Sequence, residues 1–271
     1  MDKFYTKKEI ATKCLYLMKK YIPDSNSFLK DIFIEPSAGS GSFSSLFSSI
    51  GLNVIAFDIK PENVGIIKKD YLTFNSCDLK KYKYNRIHVF GNPPFGLNSS
   101  LAKQFIKISA EYCDTISFIL PKSFKKESNI KVFPLNFHNI LTVDLPDNSF
   151  TLNDETCNLP CIFKIWIKKK ILRKELIIEE PIYFKYVSKF DKPHFAIRRI
   201  GYYAGQFELD YMTCNENSHY FIKLNNYSKL NKFITNYNKV KFEENNTVGP
   251  RSISKLELNH QLNKLSNDMS L

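Results

Sequence analysis

Four consecutive residues, Asn92-Pro93-Pro94-Phe95, have the types and order needed to activate a planar amino group. An amino nitrogen conjugated to a ring is a poor nucleophile, because its lone pair is delocalised into that ring. Asn92 can offer its side-chain carbonyl and Pro93 its backbone carbonyl to the two N–H bonds, which draws the lone pair out of the ring plane. The consecutive prolines restrict φ to about −65° and hold both acceptors in place. Phe95 supplies a flat apolar face on which an extruded base can stack.

A second motif opens with Glu35 and lies between an apolar run and a helical pattern. After Glu35 come Pro36, Ser37, Ala38, Gly39, Ser40 and Gly41. Glycines at the end of a strand let the backbone approach a ligand, and the following helix N-terminus supplies free N–H donors. The dinucleotide fingerprint is absent because position 44 is not glycine, and Glu35 would repel a pyrophosphate. A cationic amino acid is the better ligand; an ordinary strand-to-helix turn is the alternative.

Two further carboxylates follow later strands. Asp58 ends the second predicted strand, where it can accept hydrogen bonds from both hydroxyls of a ribose. A cap of the turn before Lys60 is the alternative role for Asp58. Asp70 ends the third predicted strand and could accept a hydrogen bond from an adenine amino group.

The segments that carry these motifs alternate between strand and helix patterns. Apolar runs rich in β-branched and aromatic residues predict strands over 31–35, 54–57, 64–67, 86–90, 115–120, 140–145 and 161–167. Apolar residues at helical spacing predict helices over 11–21, 43–50 and 99–112. This alternation is typical of a doubly wound α/β fold with a parallel sheet, and the alternating polarity of 161–167 predicts a position near a sheet edge.

The pattern weakens after Lys168-Lys169-Lys170, which suggests two regions. A chain of 271 residues with 43% hydrophobic content can bury one full α/β core and has about a hundred residues left over. We therefore predict a first domain over residues 1–170. Residues 171–271 are predicted to form a small α+β appendage that could recognise a substrate.

The charge balance favours a polyanionic partner. Lys and Arg number 39 against 27 Asp and Glu, and the pI is about 9.2. Lysines after the fifth strand could contact phosphates, as could an Arg pair close to Tyr202, Tyr203 and Phe207, although a solvated loop and an appendage core are the alternatives. These candidate nucleic-acid contacts are Lys122, Lys125, Lys126, Arg198 and Arg199.

Cysteine and terminal patterns indicate an intracellular protein. The 6 cysteines include no Cys-x-x-Cys pair, and the histidines do not stand at zinc-ligand spacing, so we expect reduced thiols and no metal. The first residues lack the apolar run of a signal peptide, and no apolar stretch approaches membrane-spanning length. A cytoplasmic or nuclear location is therefore expected, without secretion or a membrane partner.

In their order along the chain, these motifs resemble those of S-adenosylmethionine-dependent amino-methyltransferases of the N6-adenine type. Upstream, Phe4-Tyr5-Thr6 resembles the extra cofactor-binding segment of N6-adenine DNA methyltransferases. The likeness covers about residues 4–167, and Lys7 departs from it where proline is common. The resemblance implies a Rossmann-like seven-stranded methyltransferase sheet with helices on both faces. It also implies methyl transfer from S-adenosylmethionine to an exocyclic amino group, N6 of adenine in DNA or RNA.

The resemblance also implies a role for each motif. Tyr5 and Thr6 would flank the methionine part of the cofactor, the residues from Glu35 to Gly41 would bind its amino-acid end, Asp58 would bind the ribose and Asp70 the adenine. Phe95 would hold the target base. The other implied cofactor-binding positions are Ile59, Tyr71 and Asn92.

Other acceptors and one other class of protein remain open. The Asn-Pro-Pro arrangement could equally activate N2 of guanine in ribosomal RNA or the amide of a protein glutamine. Phe95, where tyrosine is the alternative, favours a base over glutamine. A non-catalytic scaffold that binds cofactor or nucleic acid, as the partner subunit of another protein, is the third reading. The intact Glu35, Asp58 and Asn92 argue against it.

Overall fold

The protein is described by a computed structural model that covers residues 4–152, 155–175, 179–242 and 251–268. The chain divides into two compact units, Met1–Glu175 and Leu176–Leu271. The first unit contains all the motifs that follow predicted strands. The second contains the Arg198-Arg199 pair.

Each helix and strand predicted for the first unit is present close to its predicted position. Its helices are α1 (Lys8–Tyr21), α2 (Ser42–Ser49), α3 (Ser100–Tyr112) and the single turn α4 (Glu127–Ile130). Its strands are β1 (Tyr5–Thr6), β2 (Ile32–Glu35), β3 (Asn53–Asp58), β4 (Ile66–Lys68), β5 (Ile87–Gly91), β6 (Thr115–Pro121), β7 (Phe137–Asp144), β8 (Phe150–Leu152), β9 (Glu155–Cys157) and β10 (Cys161–Lys168).

Seven of these strands form one Rossmann-like sheet, which confirms the predicted fold class. Their order is β4-β3-β2-β5-β6-β10-β7. Neighbouring strands from β4 to β6 are parallel, whereas β10 is antiparallel to both β6 and β7. The sequence pattern indicated a parallel sheet, and β10 departs from it by running antiparallel to both of its neighbours. A parallel return needs a crossover, usually a helix; the described residues between β7 and β10 contain β8 and β9 and no helix.

Strand β10 lies one strand in from the edge, and β7 is the edge strand. The polar residue that gave its sequence an alternating appearance, Lys164, is buried rather than solvent-facing. Its Nζ donates a hydrogen bond to the carbonyl of Phe124 at 3.0 Å. Burial lowers the pKa of Lys164 to about 8. The alternation of apolar and polar residues in β10 therefore does not correspond to a solvent-exposed face. The polar residue can be buried because a backbone carbonyl accepts a hydrogen bond from its ammonium group.

Buried side chains cover both faces of the sheet. Alternate residues of each strand point to opposite faces, so Ile34 joins one cluster and Phe33 the other. Phe105 of α3 packs in the first cluster, and Phe47 of α2 packs in the second, together with buried residues of α1. Each fully buried aromatic or aliphatic side chain contributes roughly 1.5–3 kcal/mol, which fixes the strand ends relative to each other.

A second, three-stranded sheet has the order β1-β8-β9. Tyr5 pairs with Thr151 and Thr6 with Phe150, both antiparallel. Sequence patterns did not predict these strands, because runs of two or three residues are too short to show a period. The pairing places the first described residues of the chain against the segment that connects β7 to β10.

The second unit is the predicted α+β appendage. Its strands are β11 (Phe184–Tyr186), β12 (Phe195–Arg198), β13 (Phe207–Glu208) and β14 (His219–Leu224), and its helices are α5 (Leu230–Tyr237) and α6 (Lys255–Asp268). The strands form an antiparallel sheet in the order β11-β14-β12-β13. Within the described parts of both units, no helix has the length and apolar character to cross a membrane.

A buried polar cluster joins the amino ends of β2, β5 and β6. Asp31 Oδ2 accepts hydrogen bonds from Arg86 Nη2 at 2.8 Å and from His88 Nε2 at 3.0 Å. His88 Nδ1 lies 2.7 Å from Thr115 Oγ1. Desolvation lowers the pKa of His88, so a neutral imidazole bridges the two oxygen atoms. The cluster fixes the register of three neighbouring strands at the end of the sheet away from the motifs.

We expect Asp31→Asn to lower the free energy of unfolding by about 3 kcal/mol, because it leaves the partly exposed Arg86 guanidinium without its buried carboxylate partner. Urea unfolding at neutral pH measures this change. The control is Asp147→Asn, since Asp147 is exposed. Equal stability of the two variants would show that the cluster contributes nothing to the fold.

Candidate active site

Three loops meet at the carboxyl ends of β2, β3 and β5, which are neighbours in the sheet. The N–H of Ala38 donates to the carbonyl of Phe57 at 2.8 Å, which ties the loop after β2 to β3. Ser37 Oγ donates to the backbone carbonyl of Asn92 at 3.1 Å, which ties the same loop to the one after β5. The motifs around Glu35, Asp58 and Asn92 are therefore brought together.

Glu35 ends β2 with a buried carboxylate, only 2% exposed. Its Oε2 accepts a hydrogen bond from the N–H of Ser44, in the first turn of α2, at 2.9 Å. Desolvation raises the pKa of Glu35 to about 8, despite the Ser44 hydrogen bonds, and the charge of Asp58 adds to the rise. A buried carboxyl group with so few donors has the electrostatics of a site for an ammonium group.

Gly91 ends β5 and lies against Glu35. Its φ of +126° is in the region that favours glycine, and a Cβ on it would lie 3.3 Å from Glu35 Cγ. A larger residue would therefore both strain the backbone before Asn92 and displace the carboxylate.

Asp58 ends β3 and is also buried. Its Oδ2 accepts from the N–H of Gly39 at 2.7 Å, and its Oδ1 accepts from the N–H of Lys60 at 2.8 Å. The turn-capping alternative is thus present in the structure. Each carboxylate oxygen still has a second lone pair, so capping does not exhaust the acceptor capacity of Asp58. The next residue, Ile59, exposes 66% of its surface.

Asn92 places its side-chain amide between β1 and the loop after β2. Its Nδ2 donates to Thr6 Oγ1 at 3.3 Å. Its Oδ1 is buried and has no hydrogen-bond partner among the residues that the structure describes. A buried acceptor without a donor costs about 1–3 kcal/mol. The geometry therefore leaves one acceptor to which none of the described residues donates.

Phe95 lies three residues further on. It is partly buried and packs against both clusters of the sheet. Its carbonyl accepts from the N–H groups of Leu101 and Ala102 at 3.1 and 3.3 Å, which fixes the loop to the start of α3. Pro93 is buried and Pro94 is partly buried. The Asn92–Phe95 segment is therefore held at both ends.

Tyr5 and Thr6 lie beside this site, in β1. The Tyr5 ring lies 3.5 Å from the position that a Cβ on Gly39 would occupy, and Gly39 has a φ of +53°. The Tyr5 hydroxyl donates to Glu62 Oε1 at 2.7 Å, which joins β1 to the loop after β3. Glu62 was not among the predicted site residues, because nothing in its local sequence indicates a contact with residue 5.

Asp70 and Tyr71 lie in the loop after β4. Asp70 is exposed, and its Oδ1 accepts from the N–H of Leu72 at 2.9 Å, which caps a short 3-10 turn. The Tyr71 ring is only 1% exposed, and its hydroxyl is hydrogen-bonded to Ser109 and Tyr112 of α3. The side chain of Tyr71 belongs to the core, so only its backbone is available to a ligand at this edge.

The lysines after β6 are already paired. Lys125 Nζ lies 2.8 Å from Asp144 Oδ2, and Lys122 Nζ lies 3.7 Å from Asp144 Oδ1. The hydrogen bond from Lys125 lowers the pKa of Asp144. Lys126 follows in the same loop. The sequence alone suggested these lysines as candidate phosphate contacts and did not indicate their pairing with Asp144. Asp144 lies far along the chain, at the end of β7.

The Arg198-Arg199 pair lies in the second unit, at the end of β12. Arg198 Nε donates to the carbonyl of Ile200 at 3.2 Å, and the Arg199 guanidinium lies 5.4 Å from the centre of the Tyr220 ring. Tyr202 and Tyr203 follow, 87% and 60% exposed, with their rings edge to face at 5.0 Å. Phe207, which had been considered with them, instead packs against the core of the unit.

The described residues contain no group of three or more His, Cys, Asp or Glu placed to hold a metal ion. Their cysteines are free thiols. The polar groups at the strand ends are instead two buried carboxylates, an unpaired amide oxygen and backbone N–H groups. This set suits a ligand with an ammonium group and hydroxyls, together with a substrate that donates N–H bonds.

Comparisons with solved structures find distant likenesses. No family model matches the chain, and no curated protein matches it in sequence. It is similar to a proposed RNA methyltransferase from Pyrococcus horikoshii at 17% identity, covering 61% of this chain and 87% of that one with a TM-score of 0.44. It is also similar to the magnesium protoporphyrin IX methyltransferase from Synechocystis PCC 6803 with bound SAM, at 12% identity, 60% and 79% coverage and a TM-score of 0.42.

A third similar structure is an S-adenosylmethionine-dependent methyltransferase from Clostridium acetobutylicum ATCC 824. The identity is 11%, the coverage 60% of this chain and 92% of that one, and the TM-score 0.41. The fold assignment itself rests on the strand order of the chain described above.

Proposed function

We propose that the chain is an S-adenosylmethionine-dependent methyltransferase that methylates N6 of adenine in DNA or RNA. The observation that carries this proposal is Asn92 Oδ1, a buried acceptor without a partner beside two buried carboxylates. A rigid turn with no chemical role would gain nothing from an acceptor left in this state. An amino group that donates to Asn92 Oδ1 would satisfy it.

The residues at the strand ends fit the proposed cofactor. The Glu35 carboxyl group would bind the ammonium end, and Asp58 would accept from the ribose hydroxyls with the lone pairs that capping leaves. A Cβ on Gly39 would lie 3.5 Å from the Tyr5 ring, in ordinary van der Waals contact, so glycine keeps the loop backbone close to that ring. Exposed Ile59 offers an apolar contact for the adenine ring, near Asp70. S-adenosylmethionine supplies a methyl group made electrophilic by its sulfonium.

The substrate amino group would be activated by two acceptors. Asn92 Oδ1 and the Pro93 carbonyl would each accept one N–H bond, so that the nitrogen lone pair points at the methyl carbon. The nitrogen would form its bond to the methyl carbon as the carbon–sulfur bond breaks, which leaves S-adenosylhomocysteine, and the nitrogen would then release one proton to solvent. Phe95 would stack on the target base after this base has been extruded from the nucleic-acid duplex or single strand.

Nucleic acid is the polymer that the charge favours. The net charge is +12, and the second unit exposes Tyr202 and Tyr203 next to two arginines. Aromatic faces flanked by guanidinium groups are typical of surfaces that bind single strands. We assign this surface, defined by Arg198, Arg199, Tyr202 and Tyr203, to substrate binding, and call it the tyrosine–arginine surface.

The proposal is tested by incubating the protein with radiolabelled S-adenosylmethionine and matched pools of DNA, RNA and protein. We expect label in one nucleic-acid pool. Label confined to protein would identify a glutamine methyltransferase. Calorimetric binding of the cofactor without transfer to any pool would instead favour a non-catalytic subunit.

We expect Tyr202→Ala and Tyr203→Ala each to weaken nucleic-acid binding by ~1–3 kcal/mol, the usual contribution of one stacked base. Binding is measured by fluorescence anisotropy at low salt and should weaken as salt rises, because phosphate contacts release counterions. Tyr16→Ala is the control, since Tyr16 is 60% exposed in α1. Equal affinity of all three variants would remove the tyrosine–arginine surface from the proposal.

A further inference from the structure

Thr6 contacts the side chain of Asn92 directly. Its hydroxyl oxygen accepts the hydrogen bond from Asn92 Nδ2 at 3.3 Å, and the side chain is only 7% exposed. We infer that Thr6 is a positioning residue, which holds the Asn92 carboxamide with Oδ1 facing the substrate amino group. This inference rests on the proposed function, since it concerns the acceptor assigned there.

The backbone around Thr6 is fixed independently of any ligand. Thr6 pairs with Phe150 of β8, and the N–H of Lys7 donates to the carbonyl of Ser149 at 3.1 Å. Phe150 is fully buried. The connection between β7 and β10 therefore has a role in the site, because it holds β1 where the Thr6 hydroxyl meets Asn92.

The Asn92 backbone has its own anchor, which leaves its amide orientation open. Ser37 Oγ binds the Asn92 carbonyl, and this contact does not restrict rotation of the carboxamide. If the amide were turned over, Oδ1 would face Thr6, and the two Nδ2 hydrogens would face the place where Oδ1 now lies. They would then oppose the N–H bonds of a substrate amino group, a repulsive arrangement of donors.

The two orientations of the amide differ at the place that faces the substrate. With Nδ2 on Thr6, one N–H of the amide is bonded and Oδ1 remains free to accept from the substrate. With Nδ2 turned away, two N–H donors would lie at that place and no acceptor would be offered to the substrate amino group. Removing the hydroxyl removes the group that anchors the amide, so a valine at position 6 should leave the Asn92 carboxamide without this hydrogen bond and free to change its orientation.

We expect Thr6→Val to lower the single-turnover rate of methyl transfer by about 10- to 100-fold, as losses of orienting hydrogen bonds do elsewhere. Substrate KM and cofactor affinity should stay within about threefold of the parent, because the orientation of the Asn92 amide affects the chemical step and not the binding of either molecule. Thr6→Ser keeps the hydroxyl and should retain most of the rate. Thr12→Val is the control for loss of a threonine hydroxyl away from the site, since Thr12 is exposed on α1.

A double-mutant cycle separates positioning from direct contact. In an Asn92→Ala background, Thr6→Val should have no further effect on the rate, because the group that Thr6 positions is gone. If Thr6→Val lowered the rate equally in both backgrounds, Thr6 would act on cofactor or substrate itself, and the inference would be wrong.

The side-chain amide signals of Asn92 give a test that needs no methyl transfer. In 15N-labelled protein these signals are identified by their loss in Asn92→Ala. We expect them to be well resolved in the parent and in Thr6→Ser, and to shift and broaden in Thr6→Val. Unchanged signals in Thr6→Val would overturn the inference. A parent protein that methylates nothing would overturn the proposed function, while these spectra would still decide the role of Thr6.

Discussion

Asn92→Ala is expected to lower the rate of methyl transfer by ~100- to 1000-fold, the usual loss when one preorganised polar group is removed from a transition state. The structure explains why the loss should fall on the chemical step. Among the described residues Oδ1 has no hydrogen-bond partner, so it is available to the substrate. The Asn92 carbonyl, held by Ser37, belongs to the backbone and survives the substitution.

Cofactor affinity of the same variant should stay within a few-fold of the parent. Glu35 and Asp58 carry the proposed cofactor contacts, and neither is hydrogen-bonded to the Asn92 side chain. Single-turnover transfer and calorimetric cofactor binding measure the two effects separately. Asn231→Ala, on an exposed face of α5, is the control for loss of an asparagine elsewhere. A variant that loses cofactor binding in proportion to rate would mean that Asn92 is a binding residue.

Glu35→Gln is expected to have opposite effects on cofactor binding and on stability. It removes the charge that would pair with the ammonium group in a buried place, so cofactor affinity should fall about a hundredfold, roughly 3 kcal/mol. The free protein should become more stable at neutral pH, on the order of 2–4 kcal/mol, because the parent must protonate Glu35 to fold and glutamine needs no proton. Calorimetry and urea unfolding test the two arms.

The pH dependence of stability follows from the direction of the shift. Burial raises the pKa of Glu35 from 4.5 to about 8, so the folded chain holds a proton that the unfolded chain has released. Glu35 therefore favours folding below its unfolded pKa, and this contribution is lost as the pH rises toward 8. The stability gained by Glu35→Gln should accordingly be near zero at about pH 4.5 and grow with pH. A gain independent of pH would show that the carboxyl group is already ionised in the fold.

The same ionisation should appear in cofactor binding. The ammonium group pairs with the carboxylate form, so binding must release the Glu35 proton below its pKa. We expect the affinity of the parent to rise up to about tenfold per pH unit between about pH 5.5 and 7.5. Glu35→Gln should lack this dependence, which provides its own control.

Much of the first unit could be predicted, because buried parallel strands leave continuous apolar runs in a sequence. Each run that ends in Glu35, Asp58 or Gly91 became a strand, and parallel strands bring their carboxyl ends to one edge. The motifs therefore could be placed together before their contacts were known. The exception is the direction of β10. It depends on how the chain returns after β7, and therefore on the two short strands in that connection.

What could not be predicted are partners that lie far apart in sequence. Asn92 and Thr6 meet only because β1 pairs with β8, and no local pattern indicates that pairing. The side chain of Tyr71 lies in the core, where its hydroxyl is hydrogen-bonded to Ser109 and Tyr112 of α3. The type of a residue shows which hydrogen bonds its side chain can make, whereas the tertiary structure decides which neighbour is the partner.

Methylation of N6 of adenine is the reaction that we propose for this site. It is tested by hydrolysing the labelled nucleic acid to nucleosides and identifying the one that carries the methyl group. We expect the label to migrate with N6-methyladenosine or its deoxy form, and to be lost in Asn92→Ala. Label on N2 of guanine would identify a different acceptor, and cofactor binding with no labelled nucleoside under any condition would overturn the proposed activity.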